Sequence, residues 1–152
     1  MWIRNTLAVI TGLAVAIILI MLAITANKVW FDELDNIVLE QKGEVFYYWQ
    51  SVIKQAPTNF FIALLVSCGV GATIGGVVTA YLVQHARQAY ALFIGLILFL
   101  MAVADIIIFT DHPTWYEIGL FLIFFPFSWL GGKIVDELMK KKFMPNDKPK
   151  QS

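Results

Sequence analysis

Four apolar runs of about 20 residues each constrain the fold of this chain more than any other feature. They cover roughly 6–26, 59–83, 89–109 and 115–133. A helix rises about 1.5 Å per residue, so each run is long enough to cross a hydrocarbon core about 30 Å thick. Composition agrees: 59% of the 152 residues are hydrophobic and 14% are charged. A soluble domain is usually about 45–50% apolar and about 25% charged. The expected fold class is therefore an all-α integral membrane protein. It forms a four-transmembrane-helix bundle with a short amphipathic outer loop and with both the N- and C-termini cytoplasmic. Residues 1–139 form one membrane domain, with an outer loop over 27–58 and a basic, disordered tail over 140–152.

The first run is expected to be an uncleaved anchor. Its apolar stretch, Leu7 to Ala26, exceeds the usual 7–15-residue core of a secretory signal, and Arg4 is the single basic residue before it. "AITA" at 23–26 makes a poor cleavage site, because Ile24 would stand where a small residue is needed.

Lysine and arginine set the orientation. With the N-terminus inside, eight basic residues lie inside (Arg4, Arg87, Lys133, Lys140, Lys141, Lys142, Lys148, Lys150) and three outside (Lys28, Lys42, Lys54). The outer loop is acidic, with Asp32, Glu33, Asp35, Glu40 and Glu44. Trp2, Tyr81, Tyr90 and Trp129 fall near the inner interface and Trp30, Trp49, Trp115 and Tyr116 near the outer one, where amphipathic rings are favoured. In the outer loop Trp30, Leu34, Ile37 and Val38 recur at helical spacing, as do Val45, Phe46, Trp49, Val52 and Ile53. "GEVFYYWQSVIK" predicts a short amphipathic helix on the outer leaflet or over the bundle mouth, with Gly43 separating the two stretches. At the other end Lys140, Lys141 and Lys142 form a juxtamembrane cluster expected to contact anionic lipid, at about 1 kcal/mol per residue. Nothing in the chain points to nucleic acid.

"SCGVGATIGGVVTA", residues 67–80, predicts a helix-packing face. Ser67, Gly71, Gly75 and Thr79 make one row of small side chains at spacing four, and Cys68, Ala72, Gly76 and Ala80 make the neighbouring row. Without bulk a second helix can lie flush, which matters in lipid because apolar side chains gain little there by leaving the tails. The partner is the first or fourth span, or a second copy of the chain.

Asp105 raises the functional question. Thirteen of the 21 residues from Ala89 to Phe109 are Leu, Ile, Val or Phe. These contribute about 0.3–0.6 kcal/mol each toward insertion, about 4–8 together, against about 2.5–3.5 for the carboxylate. The span inserts despite Asp105, which lies in its outer half. An intramembrane carboxylate is a candidate functional group. Three readings stand: a protonated acid bonded to a neighbouring span, an ion pair with Lys28 or Lys54, or a site for a cation, proton or polar ligand. A turn at "TDHPT" brings Glu117 to the same end, where two carboxylates can share a proton. "TWYE" equally fits a capping box with Thr114 at the N-cap and Glu117 three residues on. Pro126 should bend the fourth span and free the Leu122 carbonyl, with Ser128 on the face of Glu117. Asp105, Glu117 and Ser128 are thus the candidate polar site. The lone Cys68 has no disulfide or redox partner, and His85 and His112 lack metal-ligand spacing.

Several of these elements carry a resemblance. Gly71, Gly75 and Gly76, the basic turn at Arg87, Pro113 and Trp115 at the entry to the last span, and Pro126, Gly131 and Gly132 toward its exit occur in that order over about residues 60–133. This succession resembles a family of small bacterial four-span membrane proteins with no established activity. The resemblance implies the four-helix fold and an inner-membrane location, and no catalytic residue or cofactor. Paired cysteines, an intramembrane Ser/His pair and His/Glu ligand clusters are not seen, so no enzyme is expected. The expected role is a non-enzymatic membrane component that binds lipid, another membrane protein or its own copy. The alternative is a small transporter or channel subunit using Asp105 to bind an ion or proton.

Overall fold

The computed structural model describes residues 2–30 and 45–143, which form five helices and, among the described residues, no strand. The helices are α1 (Trp2–Trp30), α2 (Val45–Gln55), α3 (Thr58–Leu82), α4 (Arg87–Ile108) and α5 (Thr114–Phe143). Four of them, α1, α3, α4 and α5, are long and apolar enough to span a membrane. They run alternately up and down, so the start of α1 and the end of α5 lie at one end of the bundle. Glycine contacts show the directions. Gly12 of α1 meets Gly75 and Thr79 of α3, whereas α1's Ile20 meets Gly71. Gly119 and Gly131 of α5 meet Leu65 and Thr73 of α3 in the same order.

α3 is the central helix because its small residues serve two neighbours. Gly71 and Gly75 face Ile20, Ala16 and Gly12 of α1, and Thr79, fully buried, turns its hydroxyl toward the Ala8 carbonyl at 3.4 Å. On the adjacent row Gly76 lies against the Ser128 backbone of α5, and Ala72 and Ala80 are wholly buried. Each row therefore seats a different helix. Ser67 at the N-terminal end of the first row bonds its own helix, donating its Oγ hydrogen to the Ala63 carbonyl at 2.7 Å. The face that would serve a second copy is occupied within the chain. α4 packs on α5 and α3, with Gly95 against Phe124 and Ser128 and Gly132 against Ala91.

The connection from α3 to α4 is tight. Val83 caps α3 by donating to the Thr79 carbonyl at 3.0 Å, and Ala86 adopts a left-handed conformation (φ 53°) just before Arg87. That region is uncommon for a residue with a Cβ. At this end the Asn5 amide donates to the Tyr90 hydroxyl at 3.0 Å, tying α1 to α4.

Two boundaries differ from the sequence expectation. The last helix does not stop near 133. α5 continues unbroken through Pro126 to Phe143, so Lys140, Lys141 and Lys142 are helical and not part of a disordered tail. Val135 is buried and, with Met139, packs on Ala80 and Ala91. Asp136 meets Lys140 at 3.2 Å and Arg87 at 3.9 Å, which ties the extension to the bundle. The expected short helix forms over Val45–Gln55 and covers one end of the bundle: Val52 is fully buried beside Phe60 and Phe61, with Trp49 and Ile53 packed around it. The expected helical stretch from Leu34 to Val38, Gly43 and the acidic residues 32–44 lie outside the described residues, as does the chain beyond Phe143.

Candidate functional site

At the end of the bundle under α2 the helices do not close completely. A cleft of about 220 Å³ is lined by all four long helices: Ile20 and Ile24 of α1, Cys68 of α3, Leu98 and Ala102 of α4, and Tyr116 of α5 among others. A second lobe of about 240 Å³ lies beneath α2, between Trp49, Val52, Phe60 and Phe61. Met21, Ile24, Leu64 and Asp105 border both lobes. Asp105 therefore stands between two largely apolar chambers, with half of its side-chain surface open.

The local sequence positions this group. α4 ends just after Asp105, and the Phe109 amide donates to the Asp105 carbonyl at 2.8 Å. The chain then reverses through Thr110–Pro113, and Pro113 starts α5 by accepting the Tyr116 amide at 2.9 Å. That reversal swings His112 back over the end of α4. The His112 side chain is only 2% exposed and lies in a ring cluster: it stacks on Tyr116 (5.5 Å between centroids, 12° between planes) and stands edge-on to Phe61 at 6.2 Å. Its Nδ1 lies 2.7 Å from the Phe109 carbonyl and its Nε2 lies 3.5 Å from Asp105 Oδ2. A carbonyl oxygen only accepts, so Nδ1 carries a hydrogen and Nε2 is the free end of the ring. Nε2 and the carboxylate face each other across a gap longer than a direct hydrogen bond.

The candidate polar residues are not brought together. Asp105 finds His112 as its partner, not Lys54, whose side chain is exposed, and not Glu117; the Lys28 side chain lies outside the described residues. Glu117 borders neither lobe, because Tyr116, Leu120 and Phe124 turn the cleft-facing stripe of α5 inward and residue 117 sits about 100° around the helix. The capping-box register is also shifted. The Pro113 carbonyl accepts the first helical bonds, which places Thr114 within the first turn and not at the N-cap. Ser128 lies about 16 Å further along α5 from Glu117. It is fully buried against Gly76 and Gly95 and donates to the Phe125 carbonyl at 3.1 Å, so it is a packing residue. His112 was missed because nothing in a lone histidine marks it. The available signal was the His-Pro turn itself, which folds residue 112 back toward residue 105.

Among the described residues, no group of three or more His, Cys, Asp or Glu side chains is placed to hold a metal ion. No family model, curated protein or solved structure matches this chain.

Proposed function

We propose that this chain is a non-enzymatic integral membrane protein whose bundle holds a lipid-like molecule in the cleft between its four long helices. The proposal includes an inner-membrane location, cytoplasmic termini and membership of the small bacterial four-span family that the glycine and proline pattern resembles. Arg87, Lys133, Lys140 and Lys141 lie toward the end that holds the start of α1 and the end of α5, which agrees with a cytoplasmic face in contact with anionic headgroups. The observation that carries the reading is the cleft: about 220 Å³, bordered by aliphatic and aromatic side chains from every long helix, with Asp105 at the junction of its two lobes. Sites for small molecules have this character, an apolar enclosure with a few convergent polar groups. The small-residue rows of α3 are covered by α1 and α5, so they support a closed monomeric bundle and not a seam between copies.

The test is to fill the space. Ala102 borders the cleft and is only partly buried, so Ala102→Phe would place a ring in it. The wild-type protein purified in mild detergent should retain lipid-like molecules detectable by native mass spectrometry, and Ala102→Phe should lose them. Equal retention by both would sink the reading.

One observation favours a second role. Asp105 is open to the cleft beside His112 and not locked into a closed pair, as a proton- or ion-coupled transporter or channel subunit would require. In liposomes such a protein would carry a proton or cation current that Asp105→Asn abolishes.

A further inference from the structure

We propose that the molecule held in this cleft bears a primary ammonium group, and that its binding between Asp105 and His112 releases one proton. This rests on the ligand-binding reading above and specifies its ligand. The Phe109 carbonyl uses the Nδ1 hydrogen of His112, so Nε2 offers a lone pair whenever the ring is neutral. Asp105 Oδ2, 3.5 Å away, offers another. Two acceptors face each other across a gap longer than a direct hydrogen bond. With one proton present the pair is neutral as a whole, either as acid and imidazole or as carboxylate and imidazolium. Without it, the site is a carboxylate beside an imidazole lone pair, which calls for a cation with at least two N–H donors.

A primary ammonium supplies three donors and one positive charge. An alcohol brings no charge, and a quaternary ammonium brings no donor. An anion is repelled by the carboxylate. The apolar lobes on either side of Asp105 take the alkyl body, and Tyr116, Phe61 and Trp49 offer ring faces nearby. Among the described residues, the other titratable groups that border the cleft are Cys68 from α3 and Tyr116 from α5. The described residues of α1 and α2 present Ile, Met, Trp and Val to it. Among the described residues, no lysine or arginine borders either lobe. The exchange balances. The neutral protonated pair plus R–NH3+ gives the carboxylate–imidazole–ammonium complex, again neutral, plus one proton released to solvent.

The probe is octylamine, with octan-1-ol as the uncharged control of equal chain length. Both are titrated into the full-length protein in phosphatidylcholine nanodiscs, and proton release is followed by calorimetry in two buffers of different ionisation enthalpy. The expected result is octylamine binding at least about tenfold tighter than octan-1-ol, with about one proton released per site, and an affinity that falls as pH is lowered. Asp105→Asn, close to isosteric, should bind the two probes equally and release no proton, and its octan-1-ol binding reports that it is folded. The pH dependence of the wild-type protein provides the same test without a variant. Equal binding of both probes with no proton release overturns the ammonium proposal and leaves the cleft reading standing. Binding of neither overturns both. Repeating the titration with phosphatidylethanolamine in the disc distinguishes the ligand's source. Octylamine binding blocked by that lipid supports the proposal with an aminolipid as ligand, and unchanged binding supports it with a free alkylamine.

Discussion

Replacing Gly76 by alanine adds a single carbon where α3 lies against α5. The new Cβ would stand 2.6 Å from the Ser128 carbonyl oxygen and 3.4 Å from that residue's carbonyl carbon and Cα. Contacting carbon atoms prefer about 3.5–4.0 Å. The obstacle is backbone of a fully buried residue, so no side-chain rotation relieves it and the two helices must move apart. Overpacking of this kind costs about 1–3 kcal/mol. Alanine is the better helix former by about 0.8–1.0 kcal/mol, which offsets part of the cost. Gly69 on the same helix is the internal control. Its Cβ would meet side-chain atoms only, Phe127 Cδ1 at 3.1 Å and Ile123 Cγ2 at 3.2 Å, and Phe127 is exposed enough to yield. Both substitutions carry the same helix-propensity gain, so their difference isolates the packing. Gly69→Ala should be neutral or slightly stabilising, with Gly76→Ala about 1–3 kcal/mol less stable than it. The assay is equilibrium unfolding in mixed micelles of a mild detergent and dodecyl sulfate. A Gly76→Ala protein as stable as Gly69→Ala would refute the close contact between α3 and α5.

Four further outcomes follow from the same geometry. Gly75→Leu, whose side chain would collide with Ala16 and the Gly12 carbonyl, should prevent α1 from docking; normal folding and unchanged size in detergent would count against the assigned face. Val52→Ala deletes roughly 1.6 kcal/mol of buried apolar contact under α2 and should accelerate hydrogen exchange over Val45–Gln55 while the long helices stay protected, whereas a uniform change would contradict a separately docked cover. Asn27 is 5% exposed and its Nδ2 has no hydrogen-bond partner among the described residues, so Asn27→Leu should raise stability by about 1–3 kcal/mol, and a lowered unfolding midpoint would show the amide to be satisfied. Asp136→Asn breaks the contacts to Arg87 and Lys140, both partly solvated, and should cost no more than about 1 kcal/mol with an effect that shrinks as salt is added; a larger, salt-independent loss would contradict a peripheral network.

The parts of this architecture that depend on local pattern were legible in the sequence. Continuous apolar runs specify long helices, and the spacing of Gly71, Gly75 and Gly76 marks a face that admits close neighbours. What local pattern does not encode is which helix takes which row. That depends on shape matching between distant segments, here Ala16 and Gly12 on one side and the Ser128 backbone on the other. The end of α5 was misplaced because "DELMKKK" is polar in isolation; Val135 and Met139 become an apolar stripe only once Ala80 and Ala91 are beside them. For the site, Asp105 was recognisable because a carboxylate among Leu, Ile and Phe is costly wherever it lies. Its partner was not, since His112 is defined by a chain reversal and by the Phe109 carbonyl that orients the ring. Glu117 and Ser128 share a helical face on paper, yet Glu117 borders neither lobe and Ser128 is buried between glycines 11 residues further along the helix.

The central claim is that four helices cross the bilayer and leave both ends of the chain on one side. On a Cys68→Ser background, Lys54→Cys at the exposed edge of α2 and Lys141→Cys near the end of α5 occupy opposite ends of the bundle. Each is treated with a membrane-impermeant maleimide in sealed right-side-out vesicles, before and after permeabilisation. The account predicts that position 54 is labelled in sealed vesicles and position 141 only after permeabilisation. Labelling of position 141 in sealed vesicles, or a protein that stays in solution without detergent, would contradict it.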